Sequence, residues 1–267
     1  MKINDLDFNV VTRGTGQTLV WGHGLMANLD SENRLNIFAW DNFPHNKQLV
    51  RYDARGHGKT EPTFSADDYH WQNLATDMHL IADELGIGQF IAGGQSMGCA
   101  TSIYAALNKP DNVKALILVN PPTAWETRAE QKGLYNRFAR LGGLLGGRLL
   151  AKVMSKDLGR ILPAWLVQEK QVNASAILAG IAQMKRRSLY YLFKGAGLTD
   201  LPSKEKIKSI AVPTLILSWE GDPSHPVSTA ITLAELIPNS DLHVAKNYKD
   251  VQQWPEVLVN FLNQIDR

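Results

Sequence analysis

A single cysteine, Cys99, stands in the 267 residues, so the chain cannot staple itself with an internal disulfide. No apolar run approaches the roughly 20 residues that a membrane-crossing helix needs. The N-terminal Met1-Lys2-Ile3-Asn4-Asp5 also lacks the apolar stretch of a secretory signal. Together these absences predict a cytoplasmic protein with no membrane span. Repeats and low-complexity tracts are missing, as are tight basic runs of the kind that hold nucleic acid. No His, Cys, Asp or Glu residues recur at metal-ligand spacing, so neither a metal nor an organic cofactor is expected.

Neither sign of charge dominates: 28 Lys and Arg face 26 Asp and Glu, for a net +2. The balance is nevertheless uneven along the chain. Residues 122–205 hold 14 basic against 6 acidic residues, and the remainder holds 14 against 20. Such a segment can be an assortment of solvated helix faces, or a surface for an acidic or carrier-linked acyl substrate.

A hydrophobic content of 44 % suits a globule of this length. Short β-rich runs alternate with helical patterns: Leu6 to Thr12, Thr18 to Trp21, Leu49 to Asp53, Phe90 to Ala92, Val113 to Val119, Thr214 to Ser218 and Leu242 to Ala245. Several are continuously apolar, as strands buried on both faces of a parallel sheet must be. Helical periodicity fills Trp71 to Leu85, Cys99 to Leu107, Val227 to Ile237 and Pro255 to Ile265. The alternation predicts a doubly wound α/β sheet. One connection breaks the rhythm, since nothing between Asn120 and Pro213 reads as a strand. This predicts a core of residues 1–121 and 206–267 with an inserted helical cap over 122–205. Within it, Gly142-Gly143-Leu144-Leu145-Gly146-Gly147 is expected to interrupt a helix, with its leucines packed inward.

The pentapeptide Gly94-Gln95-Ser96-Met97-Gly98 follows directly on the apolar run Phe90 to Ala92. A GxSxG sequence at a strand-to-helix turn is a nucleophile elbow, with small residues needed at both ends because neighbouring backbone comes close. In such an elbow the backbone N–H of the residue after the serine, here Met97, is one oxyanion donor. The His23-Gly24-Leu25 turn after the strand ending at Trp21 is placed to supply the second from Leu25.

With the Asp53 to Gly58 loop, the strand and acid loop Leu215 to Pro226, and the closing Trp254 to Leu262 helix, these motifs resemble in their order the α/β-hydrolase superfamily. The likeness is to its cap-bearing serine esterases and enol-lactone hydrolases. The resemblance implies a serine nucleophile, an acid after the penultimate strand and a histidine after the last strand. The acid maps onto Asp222, with Glu220 as the alternative.

The histidine departs from the family pattern. Counting back from Pro255, its usual place falls on Tyr248, and that loop has no histidine. His243 sits early in the last strand, on the order of 10 Å from the edge where the serine emerges. His225, between Pro223 and Pro226, is the preferred base, and Tyr248 or Lys249 would need strongly shifted pKa values to serve instead. His57 reads as structural. His23, which precedes the oxyanion turn, reads the same way, although with Met26 and Trp125 it is also placed to line the substrate site. The predicted activity is hydrolysis of a small-molecule carboxylic ester or lactone through Ser96, Asp222 and His225. The displaced histidine leaves two rivals open, a non-catalytic binding protein and a lyase or cofactor-free oxygenase on the same fold.

Overall fold

The computed structural model describes residues 1–169 and 172–265, so the segment predicted as a cap contains two residues, and the C-terminal part of the core two more, that lie outside the described ones. A small hairpin of β1 (Lys2–Ile3) and β2 (Leu6–Asp7) precedes β3 (Val10–Arg13). A seven-stranded sheet follows, built from β3, β4 (Gln17–Gly22), β5 (Lys47–Tyr52), β6 (Phe90–Gln95), β7 (Val113–Val119), β8 (Thr214–Trp219) and β9 (Ser240–Ala245). Its order is β3-β5-β4-β6-β7-β8-β9, with β3 antiparallel to β5 and every other pair parallel. The predicted strand at Leu6 to Thr12 is thus two pieces, parted at Phe8 and Asn9, where the Phe8 amide donates to the Met1 carbonyl (2.8 Å) and the Asn9 amide to Thr60 Oγ1 (3.0 Å).

The central strands are apolar on both sides because helices cover both faces. On one side α2 (Trp71–Glu84), α3 (Met97–Asn108) and α10 (Val227–Leu236) bury Met78, Ile81, Ile103 and Leu233 against Val20, Ala92 and Leu118. On the other side α1 (Leu29–Leu35) and α12 (Trp254–Ile265), with the short α11 (Tyr248–Val251) ahead of it, close over Trp21, Ile117 and Leu217. There the Trp219 and Trp254 rings stack at 5.7 Å.

Between β7 and β8 run α4 (Arg128–Leu145), α5 (Gly147–Met154), α6 (Ala164–Val167), α7 (Ala179–Gln183), α8 (Arg186–Ala196) and α9 (Lys204–Lys208). No strand of the sheet comes from this connection among the described residues. The glycine-rich stretch interrupts the helical run as expected, but only toward its far end. Helix α4 passes through Gly142 and Gly143 and stops only at Gly146, whose φ is 81°. At Gly142 a Cβ would lie 3.0 Å from Leu189 Cβ, so the missing side chain lets α4 press against α8. The leucines also depart from the expected inward packing: Leu144 is 70 % exposed.

The connection is pinned at its two ends by one buried cation. Arg128 gives Nε to the Thr199 carbonyl (2.9 Å) and Nη2 to that of Ala196 (2.6 Å), while its guanidinium lies 4.4 Å over the Trp71 ring of α2.

Candidate active site

Ser96 occupies the turn between β6 and α3 with φ 54° and ψ −107°, a region that L-residues rarely enter. Surrounding backbone enforces this conformation. The Ser96 amide donates to the Val119 carbonyl (2.9 Å), and the Gly98 amide donates to the His23 carbonyl (3.1 Å). A Cβ at Gly98 would run into the Gly22 carbonyl of β4, and one at Gly94 would lie 2.5 Å from that same oxygen. Both ends of the pentapeptide are therefore small because β4 passes directly beneath the elbow.

The His23 to Leu25 turn is locked by its histidines. His23 Nε2 accepts the Ala54 amide (2.9 Å), and its Nδ1 hydrogen goes to the Gly24 carbonyl (2.8 Å), which uses both nitrogens of a neutral ring. Burial lowers its pKa. His57 is also fully buried, with Nε2 2.7 Å from the Leu25 carbonyl and Nδ1 2.9 Å from that of Arg55. Burial, reinforced by the neighbouring His23, pushes its pKa down to about 4. The carbonyl side of the Leu25 peptide is thereby held by the protein. Its amide, and that of Met97 at the first position of α3, have no hydrogen-bond acceptor among the described residues.

The loop after β8 carries the other two groups. Gly221 (φ 84°) turns the chain, and the His225 amide closes a turn on the Asp222 carbonyl (3.2 Å). Pro226 then leads into α10. Asp222 Oδ1 accepts the Ser224 amide (2.8 Å), and Oδ2 accepts the Trp219 indole N–H (3.0 Å). His225 Nδ1 lies 2.7 Å from Asp222 Oδ2, and its Nε2 lies 2.8 Å from Ser96 Oγ. Burial works against the Asp222 charge, but the facing His225 and these two N–H donors outweigh it and hold the carboxyl below the usual carboxylate range. An imidazole that gives its Nδ1 hydrogen to Asp222 presents the Nε2 lone pair to the serine hydroxyl.

Sequence-predicted residues thus meet at one place: Ser96, His225 and Asp222, with the amides of Leu25 and Met97 in the two turns beside them. Tyr248 and Lys249 lie on a separate surface depression with Asn247 and Gln252. His243 pairs with Asp241 at the far end of β9 (3.0 Å).

A cleft of about 700 Å³, counted to its open mouth, reaches Ser96 and His225. Met26 lines it as expected. Two other expected lining residues do not. His23 is shut beneath the turn, 1 % exposed, with both ring nitrogens engaged. Trp125 is drawn away by its indole bond to the Pro202 carbonyl (2.9 Å) and its amide bond to Asp200 (3.1 Å). In their place α4 supplies Gln131, Leu134, Tyr135 and Phe138, joined by Leu35, Ile161 and Ile177. Their i, i+3, i+4, i+7 spacing was visible in the sequence, but periodicity alone does not separate a face that lines a cavity from one that packs a core.

Among the described residues, no Lys or Arg lines the cleft. Its one acidic group, Glu32, is bound to Arg51 Nη2 (2.9 Å) and the Trp21 indole (3.1 Å). The described basic side chains of residues 122–205 therefore do not line the cleft. Nor do three His, Cys, Asp or Glu side chains gather as metal ligands among the described residues.

A family model described as the alpha/beta hydrolase fold matches residues 17–257. The chain therefore belongs to the α/β-hydrolase family. The relatives it resembles are hydrolases. It is 22 % identical to 3-oxoadipate enol-lactonase 2 of Acinetobacter baylyi over 95 % of this chain and 91 % of that one. It is 34 % identical to the proline iminopeptidase of Neisseria meningitidis over 74 % of this chain and 73 % of that one. In three dimensions it superposes on a thermophilic esterase from Thermogutta terrifontis with TM-score 0.82 at 19 % identity, covering 97 % and 94 % of the two chains.

Proposed function

We propose that this hydrolase cleaves neutral carboxylic esters or lactones through a covalent acyl-enzyme on Ser96. The observation that carries the reading is the unbroken line Ser96 Oγ, His225 Nε2, His225 Nδ1, Asp222 Oδ2, with contacts of 2.8 and 2.7 Å. As Ser96 Oγ bonds to the substrate carbonyl carbon, its proton passes to His225 Nε2, and Asp222 stabilises the imidazolium. Negative charge gathers on the former carbonyl oxygen, where the amides of Leu25 and Met97 receive it. Collapse breaks the C–O bond to the leaving alcohol, which takes the proton from His225. Water then repeats the sequence and frees the acid. In a lactone the leaving oxygen stays tethered and the product is a hydroxy or keto acid.

The substrate class follows from the lining. Leu35, Leu134, Phe138, Ile161 and Ile177 offer apolar contact, and among the described residues no cation lines the cleft to offset the desolvation of a substrate carboxylate. Residues 122–205 act as the cap that closes this cleft from above. A binding protein would gain nothing from a strained serine aligned on an acid-backed imidazole, and this alignment favours hydrolysis over the binding and non-hydrolytic alternatives.

The test is covalent labelling of the folded protein by a fluorophosphonate probe, with turnover of p-nitrophenyl esters measured alongside. Labelling and turnover that both vanish in Ser96→Ala are expected. A folded parent that neither labels nor turns over overturns the reading.

A further inference from the structure

The second half of α4 and all of α5 present a face that the cleft does not use. Leu144 is 70 % exposed, with Leu149 at 45 %, Val153 at 47 % and Leu141 at 39 %. On α5 the inward side is already occupied by Leu150, Ala151 and Met154, so Leu149 and Val153 are a second apolar set on a helix that needs only one. Between residues 131 and 156 there are six Lys and Arg and no acidic residue. Arg140, Arg148, Lys152 and Lys156 are exposed among these leucines. None of the four has an ion-pair partner among the described residues. From α8, Arg186 joins them, its Cγ 3.3 Å from where a Cβ on Gly146 would be.

We propose that this face docks on the surface of an anionic lipid bilayer. Exposed leucines fenced by unpaired cations match two properties that such a surface supplies together, hydrocarbon just below the headgroups and a diffuse negative potential above them. The face is a helical ridge, and none of its exposed leucines lines a cleft described here, which suits a deformable plane better than a shaped protein partner. Docking is by lying on the membrane, since no described helix is long and apolar enough to cross one. Helix α4 would then have one side on the membrane while Leu134, Tyr135 and Phe138 wall the cleft from its adjacent side. Binding of this kind does not depend on the reading of Ser96.

The experiment is sedimentation of the full chain with phosphatidylcholine vesicles, plain or containing about 30 % phosphatidylglycerol, at ~0.1 M salt. Binding to the anionic vesicles should exceed binding to the neutral ones by roughly tenfold or more, and Leu144→Asp with Leu149→Asp, or Arg148→Glu with Lys152→Glu, should each remove that excess. Thermal unfolding followed by far-ultraviolet circular dichroism serves as the folding control and should stay at the parent level. A Leu144→Cys variant carrying an environment-sensitive dye gives a second readout, because Cys99 is fully buried and stays unlabelled. Its emission should shift to the blue with anionic vesicles only. Equal binding to both vesicle types, leucine variants that bind like the parent, or an unmoved dye spectrum would each overturn the proposal. So would a dimer in solution that Leu144→Asp converts to monomer without any vesicle binding, since the face would then belong to a second copy of the chain.

Discussion

At the scale of single residues, the unusual circumstance is that the proposed acid and base share one turn, Asp222 and His225 being closed by the 3.2 Å amide bond between them. His225→Ala should lower kcat on the order of 10³-fold with KM little changed, because general-base help is realised in the transition state. Tyr248→Phe should leave kcat where it was, and steady-state kinetics on a p-nitrophenyl ester checks both. The placement of Ser96, of the Leu25 and Met97 amides beside it and of Asp222 could be read from motif and order. His225 was legible for a narrower reason: two prolines fix its loop at the right end of the sheet. Trp125 and His23 were misplaced because residue type does not tell which hydrogen bonds a ring will make. His57 carries a further consequence. The unfolded chain protonates this ring below about 6.5, and the folded chain only near 4. Between those values acidification favours the unfolded chain, so stability falls as pH drops. His57→Gln, which cannot take up the proton, should flatten that part of the pH profile, as read by urea unfolding.

At the scale of elements, the helical connection is fastened more firmly than a detachable lid. Arg128 draws Ala196 and Thr199 to Trp71, and Leu189 and Phe193 sit in the same buried cluster as Trp71 and Met78. Arg128→Ala should cost about 3 kcal/mol in unfolding free energy, and Arg128→Lys should recover only part, since an ammonium cannot reproduce the forked contacts. Element order and most boundaries were legible because the sheet is buried on both faces and writes itself as apolar runs. The run Gly142 to Gly147 does break the helix, at Gly146, while Gly142 and Gly143 stay helical because, inside a packed pair of helices, the gain from close approach to Leu189 outweighs glycine's entropic cost. The cavity wall belongs to this scale as well. Leu134→Arg on α4 places a cation where no described one lines the cleft, and it should raise the kcat/KM ratio of a carboxylate-tailed ester to its neutral analogue by roughly tenfold. An unchanged ratio would show that α4 does not meet the acyl group.

At the scale of the whole molecule, the core was predictable from sequence and the cleft was not, because a cleft is defined by which faces several distant segments fail to bury. The turn after β8 has one more consequence. Every group assigned a part in bond making or breaking lies before residue 226, so α10, β9, α11 and α12 contribute scaffold alone, chiefly through β9 pairing with β8 and Trp254 stacking on Trp219. The chain can therefore be cut without dividing its chemistry. Separate polypeptides 1–237 and 238–267, expressed together, would amount to a complete reaction centre and a purely mechanical brace, so that esterase activity becomes a direct report of whether the two pieces have found each other.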